Sequence, residues 1–92
     1  MKMTRAAARI SGLVQGVNFR YFTFRTAQAN GVTGWVRNCP DGTVEAVFEG
    51  PEANVKTVID WCRQGPGSAR VDRVDIDWQD YRGEFPDFQV VR

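Results

Sequence analysis

The chain contains no histidine. That absence removes the side chain that most often serves as a general base near neutral pH, and the commonest metal ligand, so any chemistry proceeds without both. Cysteine is nearly as scarce, with only Cys39 and Cys62. Two so far apart make neither a zinc site nor a disulfide framework, and they read as free thiols, buried or half-buried. The apolar runs are only a few residues long, far short of a bilayer span, and Met1-Lys2-Met3-Thr4-Arg5 lacks the apolar stretch of a secretory leader. Neither charge dominates: 12 Lys and Arg stand against 11 Asp and Glu, for a net charge of +1. Without a basic stripe, nothing points to nucleic acid or an anionic membrane as partner. The expected location is the cytoplasm.

What is present is ordinary globular material. The 92 residues are 42% hydrophobic and 25% charged, enough for one core and one domain over residues 1–92. Thr4 to Gly12 alternates, with Ala6, Ala8 and Ile10 on one side and Arg5, Arg9 and Ser11 on the other, which predicts a half-buried strand. Gly12-Leu13-Val14-Gln15-Gly16 interrupts it as a loop of unusual backbone shape. Phe19 to Asn30 reads as a helix with Phe22, Thr26, Ala27 and Ala29 near one face and Gly31 as its stop. Thr33–Asn38 and Thr43–Glu49 read as strands joined by the tight turn Cys39-Pro40-Asp41-Gly42. A second helix follows, with Pro51 at its first position, Gly65-Pro66 at its end, and Val55, Val58, Ile59 and Cys62 at i, i+3, i+4, i+7. Trp61 lies at the margin of that stripe. Val74, Ile76 and Trp78 alternate with acids in a further strand, and Phe88 and Val90 mark a short last one. The order is β-α-β-β-α-β plus a C-terminal strand. This is an α+β, ferredoxin-like split βαβ sandwich with two helices on one face of a mainly antiparallel sheet.

This topology predicts where chemistry can sit. The first two strands are joined by a helical crossover, so they run parallel and their C-terminal ends share one edge of the sheet. One end delivers the loop Val14–Arg20 and the other delivers Asn38. Gly12 and Gly16 permit backbone angles that turn successive N–H groups inward, as in an anion-binding nest. The loop runs into a helix N-terminus with its unpaired N–H groups, and Arg20 offers a planar fork to two phosphate oxygens. Taken alone, a glycine-rich turn before a helix favours a structural turn over a phosphate site by about two to one.

The residues are more specific than the pattern. Ile10-Ser11-Gly12-Leu13-Val14-Gln15-Gly16-Val17-Asn18-Phe19-Arg20 resembles the first signature of the acylphosphatase family, in which a glycine precedes V-Q-G-V-x-[FM]-R. Gly34-Trp35-Val36-Arg37-Asn38-Cys39-Pro40-Asp41-Gly42-Thr43-Val44, with Gly50 following, resembles the second. The resemblance implies hydrolysis of an acyl phosphate to a carboxylate and inorganic phosphate. Arg20 and the loop from Gln15 through Gly16, Val17, Asn18 and Phe19 would bind the phosphoryl group, and Asn38 would position the attacking water. It implies no metal and no organic cofactor. The partner would be a small acyl phosphate, with inorganic phosphate as product or inhibitor, and the chain would act as a monomer. Cys39 departs from the pattern, since relatives often carry a hydroxyl residue there.

Other residues have plainer readings. Alternation puts Arg37 on the face opposite Asn38, as a solvated charge. Phe19 anchors the loop to the core, Trp35, Trp61 and Trp78 serve packing, and Asp72, Asp75, Asp77 and Asp80 form a solvated acidic surface rather than a metal site. The same topology also serves RNA-binding and metal-carrying modules. The first needs exposed aromatics on central strands, whereas Glu45 and Glu49 share a face here and repel phosphate. The second needs a Cys-x-x-Cys loop, which is missing. A stand-alone enzyme is preferred over a domain of a larger carbamoyl-transfer protein.

Overall fold

A computed structural model describes all residues from Met1 to Arg92. Its elements follow the expected order: β1 (Met3–Leu13), α1 (Phe19–Ala29), β2 (Thr33–Asn38), β3 (Val44–Pro51), α2 (Glu52–Gln64), β4 (Arg70–Gln79) and β5 (Phe88–Val90). The strands form one sheet in the order β4-β1-β3-β2-β5. β3 is antiparallel to both β1 and β2, β4 is antiparallel to β1, and only β5 joins in parallel, beside β2.

Alternation in β1 sends Ala6, Ala8 and Ile10 inward, where they pair with Phe48, Ala46 and Val44 of β3. Small side chains at the sheet's centre let the helices approach closely, and one continuous core fills the space between. α2 buries the predicted stripe of Val55, Val58, Ile59 and Cys62. Trp61 lies at its edge, 5.4 Å ring to ring from Phe19. Neither helix is long and apolar enough to cross a membrane.

Four local expectations change. β1 does not stop at Gly12 but continues to Leu13, with a bulge against β4 at Ser11/Gly12. A Cβ on Gly12 would lie 2.1 Å from the Arg70 carbonyl oxygen, so this glycine serves close strand approach rather than an anion nest. α1 buries Phe19, Thr23 and Ala27, while Phe22 and Ala29 are exposed and Thr26 is half-buried. Phe19, driven into the core at the helix start, sets the rotation, and every fourth residue follows it inward. The buried Thr23 hydroxyl is satisfied by the Phe19 carbonyl at 2.8 Å. Pro51 caps α2 from outside rather than occupying its first turn, which Glu52 opens. Trp78 is not packed: on the outermost strand, outside the core, it is 47% exposed.

Glu45 and Glu49 do share the face opposite the helices, but their surroundings differ. Glu45 is paired with Arg9 at 3.1 Å and Arg37 at 2.9 Å. Glu49 is fully buried. Its carboxylate accepts the main-chain N–H groups of Arg82, Gly83 and Glu84 at 2.8, 3.3 and 3.2 Å, and pairs with Arg5 at 3.3 Å. The segment between β4 and β5 is thereby strapped across the open face. It leads β5 to the far edge, where Phe88 stacks on Phe48 at 5.7 Å.

Burial alone would raise the Glu49 pKa, but the N–H groups of Arg82 and Glu84 and the Arg5 guanidinium outweigh it, and the net direction is down. A depressed folded value means that the stabilisation is complete above the ordinary value of 4.5 and is lost as pH falls through the lower folded value. Glu49→Gln should therefore cost about 2–3 kcal/mol at neutral pH, because it removes the buried charge on which three main-chain N–H groups converge and leaves Arg5 with Glu84 as its one carboxylate partner. Urea unfolding at pH 7 and pH 4 should show a smaller acid-linked loss in the variant than in the parent chain; equal losses would remove Glu49 from this account.

Candidate active site

Because β1, β2 and β5 all point the same way, their C-terminal ends meet at one edge. β1 delivers the loop that enters α1, β2 delivers Asn38, and β5 delivers Val90 and Arg92. Between them lies a cavity of about 490 Å³, lined by Val14, Gly16 and Asn18 of the loop, Phe19, Arg20 and Tyr21 of the helix, and Asn38, Val90 and Arg92.

The loop is pinned at both ends and open in the middle. Val14 and Phe19 are each 1% exposed in the core, and Val17 packs against it. Between these anchors the chain takes left-handed angles at Gly16 (φ 75°) and Asn18 (φ 62°, ψ 23°). Nothing lies within 4 Å of where a Cβ on Gly16 would stand, so this glycine is required by backbone angle and not by crowding. The main-chain N–H groups of Gln15, Gly16, Val17 and Asn18 donate to no acceptor within the protein, and the first bond of α1 is Phe22 N–H to Asn18 O at 3.1 Å. The N–H groups of Phe19, Arg20 and Tyr21 are thus also uncommitted, as in any first helical turn. Asn18 makes no capping bond with its side chain, and the first turn carries no acid. The positive end of the helix is left bare toward the cavity.

Arg20 joins none of the chain's salt bridges, and no carboxylate side chain lines the cavity. Across from it, Asn38 Oδ1 is buried and has no hydrogen-bond partner, the one such side-chain atom in the structure. A buried acceptor without a donor is costly, and the residue that carries it lines the same cavity as Arg20. Uncommitted donors, an unpaired guanidinium and an orphan acceptor suit a tetrahedral oxyanion with a water beside it.

The structure thus brings Arg20 and Asn38 together, with Gly16, Asn18 and Phe19 lining the same space. Gln15 and Val17 do not line it. The Gln15 side chain turns away and donates to the carbonyls of Cys39 at 2.7 Å and Thr43 at 2.9 Å, and Val17 faces the core. Tyr21, Val90 and Arg92 were not expected here. The alternation of Phe88 and Val90 was visible, but three residues carry no signal of which edge they join. Both cysteines are free and buried, and burial pushes the Cys62 thiol up to about 12, so it is no nucleophile. Asp72 and Asp75 pair with Arg70 at 2.9 Å and Arg73 at 2.7 Å on the surface, and Arg37 is on the opposite face, as expected.

Comparison with known proteins finds one family and its fold. The acylphosphatase family model matches residues 6–90. An acylphosphatase from Geotalea uraniireducens is 52% identical over 86 residues, 94% of each chain. Among solved structures, an acylphosphatase from Bacillus subtilis superposes with a TM-score of 0.93 at 29% identity, covering 97% of this chain and 99% of the other. One from Coxiella burnetii gives 0.92 at 32% identity, covering 98% and 94%.

The loop geometry has a direct test. Gly16→Ala should cost about 1–2 kcal/mol of stability from left-handed backbone strain alone, since the added methyl meets nothing. It should also weaken inorganic phosphate, by calorimetric titration, more than an alanine at exposed Gln28 does. Unchanged phosphate affinity in Gly16→Ala would take the loop out of the binding site.

Proposed function

The chain belongs to the acylphosphatase family, hydrolases of acyl phosphates, and from that footing we propose how its residues divide the reaction. Arg20 and the uncommitted amides from Gln15 to Tyr21 hold the phosphoryl group, and Asn38 holds the attacking water. The observation that carries this reading is that Asn38, whose buried Oδ1 has no hydrogen-bond partner, lines the same cavity as Arg20 and the start of α1.

The chemistry matches what the chain has. A neutral carboxamide is no base, but its oxygen accepts from water and fixes the oxygen lone pair toward phosphorus. The water oxygen bonds to phosphorus while the bond from phosphorus to the acyl oxygen breaks, its electron pair leaving on a carboxylate. The conjugate acid of that carboxylate titrates near ~4, so the leaving group needs no proton. The water's proton passes to a phosphate oxygen, and the substrate serves as its own base. Charge that builds on the equatorial oxygens is met by Arg20 and the loop N–H groups, the general pattern of phosphoryl transfer. A phosphate monoester would expel a far more basic alkoxide, and the chain offers no histidine to protonate it. The proposal is of a reaction that needs no metal. One continuous core supports reading residues 1–92 as one domain. Action as a monomer in the cytoplasm, with inorganic phosphate as product and competitive inhibitor, completes the proposal.

Hydrolysis of benzoyl phosphate in the presence of EDTA is the expected result; loss of activity that metal restores would end the metal-independent reading. Arg20→Gln should lower turnover by about 10³-fold and weaken phosphate as well. Asn38→Ala should abolish turnover and leave phosphate affinity nearly intact. Loss of phosphate binding with turnover spared in Asn38→Ala would reverse the two roles.

A further inference from the structure

We propose that Gln15 is a positioning residue for hydrolysis: its side chain locks the phosphate loop to the strand end that carries Asn38. The inference rests on the assignment of water to Asn38 and phosphate to the loop.

Both N–H bonds of one amide group are used. Gln15 Nε2 donates to Cys39 O at 2.7 Å and to Thr43 O at 2.9 Å. Both partners are carbonyl oxygens, which only accept, so the NH₂ end of Gln15 must face them. These two carbonyls form the base of the turn that follows Asn38. Cys39 N–H donates to Thr43 O at 2.8 Å, and Gly42 N–H donates to Cys39 O at 3.1 Å. Gln15 therefore closes onto an already hydrogen-bonded ring whose first residue is the direct neighbour of Asn38.

No other hydrogen bond joins the loop to this turn. The other side-chain bonds to the loop do not reach the turn: Ser68 Oγ, from the connection after α2, donates to Val17 O at 3.3 Å, and Thr23 Oγ1 donates to Phe19 O at 2.8 Å. Nor is the Asn38 carboxamide oxygen held by a partner of its own. Its place in the cavity is inherited from the main chain beneath it, and Gln15 ties that main chain to the loop.

Alignment is what the reaction requires. Water and phosphoryl group are held by elements from different strands, and in-line attack tolerates only about 0.5 Å of error between them. A misplacement of about 1 Å costs on the order of 10²-fold in rate. Loss of the tie should therefore act on turnover, while the loop, still pinned by Val14 and Phe19, keeps its grip on phosphate.

Two variants test this. Gln15→Met keeps the length and removes the donors, and Gln15→Glu turns an acceptor toward the two carbonyls. Turnover of benzoyl phosphate should fall about 10- to 100-fold in both, with the inhibition constant of inorganic phosphate within about threefold of the parent's. Phosphate binding in the same samples reports that the variants are folded. Turnover within twofold of the parent in both variants would overturn the proposal. So would turnover and phosphate affinity falling in step, which would mean that Gln15 only keeps the loop intact. Asn38→Ala assayed alongside separates the levels: if it is inactive while Gln15→Met is fully active, only the role of Gln15 is lost. If Asn38→Ala is active, the assignment beneath it is lost as well.

Discussion

Two strands of one sheet joined through a helix must point the same way, and the site depends on that constraint. β1 and β2 are not neighbours, since β3 separates them. Yet both are antiparallel to β3, so the loop after β1 and Asn38 at the end of β2 emerge at the same edge. The crossover between them places the N-terminus of α1 at that edge. A polypeptide with this order of elements has its bare helix end, its loop amides and the tip of a second strand in one place before any functional residue is chosen.

What the residues add is mostly restraint. Most loops satisfy their amides and most helix starts are capped, because uncommitted N–H groups are unfavourable when shielded from water. Here Asn18 enters the helix in a left-handed conformation and caps nothing, no acid stands in the first turn, and Arg20 has no carboxylate partner. The stability forgone at this edge is recovered elsewhere, in the small-residue centre of the sheet and in the buried Glu49 that gathers three main-chain N–H groups and Arg5. That second cluster also matters to the site. By strapping the segment after β4 it sets β5 beside β2, and so brings Val90 and Arg92 to the cavity.

Legibility followed physical range. The stripe of α2 and the alternation of β1 are periodic signals over several turns or pairs, and both faces were read correctly. The face of α1 was misread because its apolar residues do not recur on one side. Phe19 decides the rotation by entering the core, and Phe22 is left outside. Gly12 looked like part of the loop since a glycine required by a 2.1 Å approach to β4 is indistinguishable, in one dimension, from a glycine required by a turn. Glu49 was legible only as one of two acids on a shared face, because the partners that bury it lie more than 30 positions away.

Local chemistry was therefore settled by the sequence itself: two helices, alternating strands, a tight turn after Asn38, no histidine, and paired motifs that resemble one family. Those features act through neighbours along the chain, where spacing is conserved whatever the fold. Three things were decided only by tertiary structure. These are the rotation of α1, the edge that β5 joins, and the turning of Gln15 away from the cavity onto the carbonyls of Cys39 and Thr43. Each depends on contacts between residues far apart in sequence, and such contacts exist only once the sheet has closed and the core has chosen which side chains to bury.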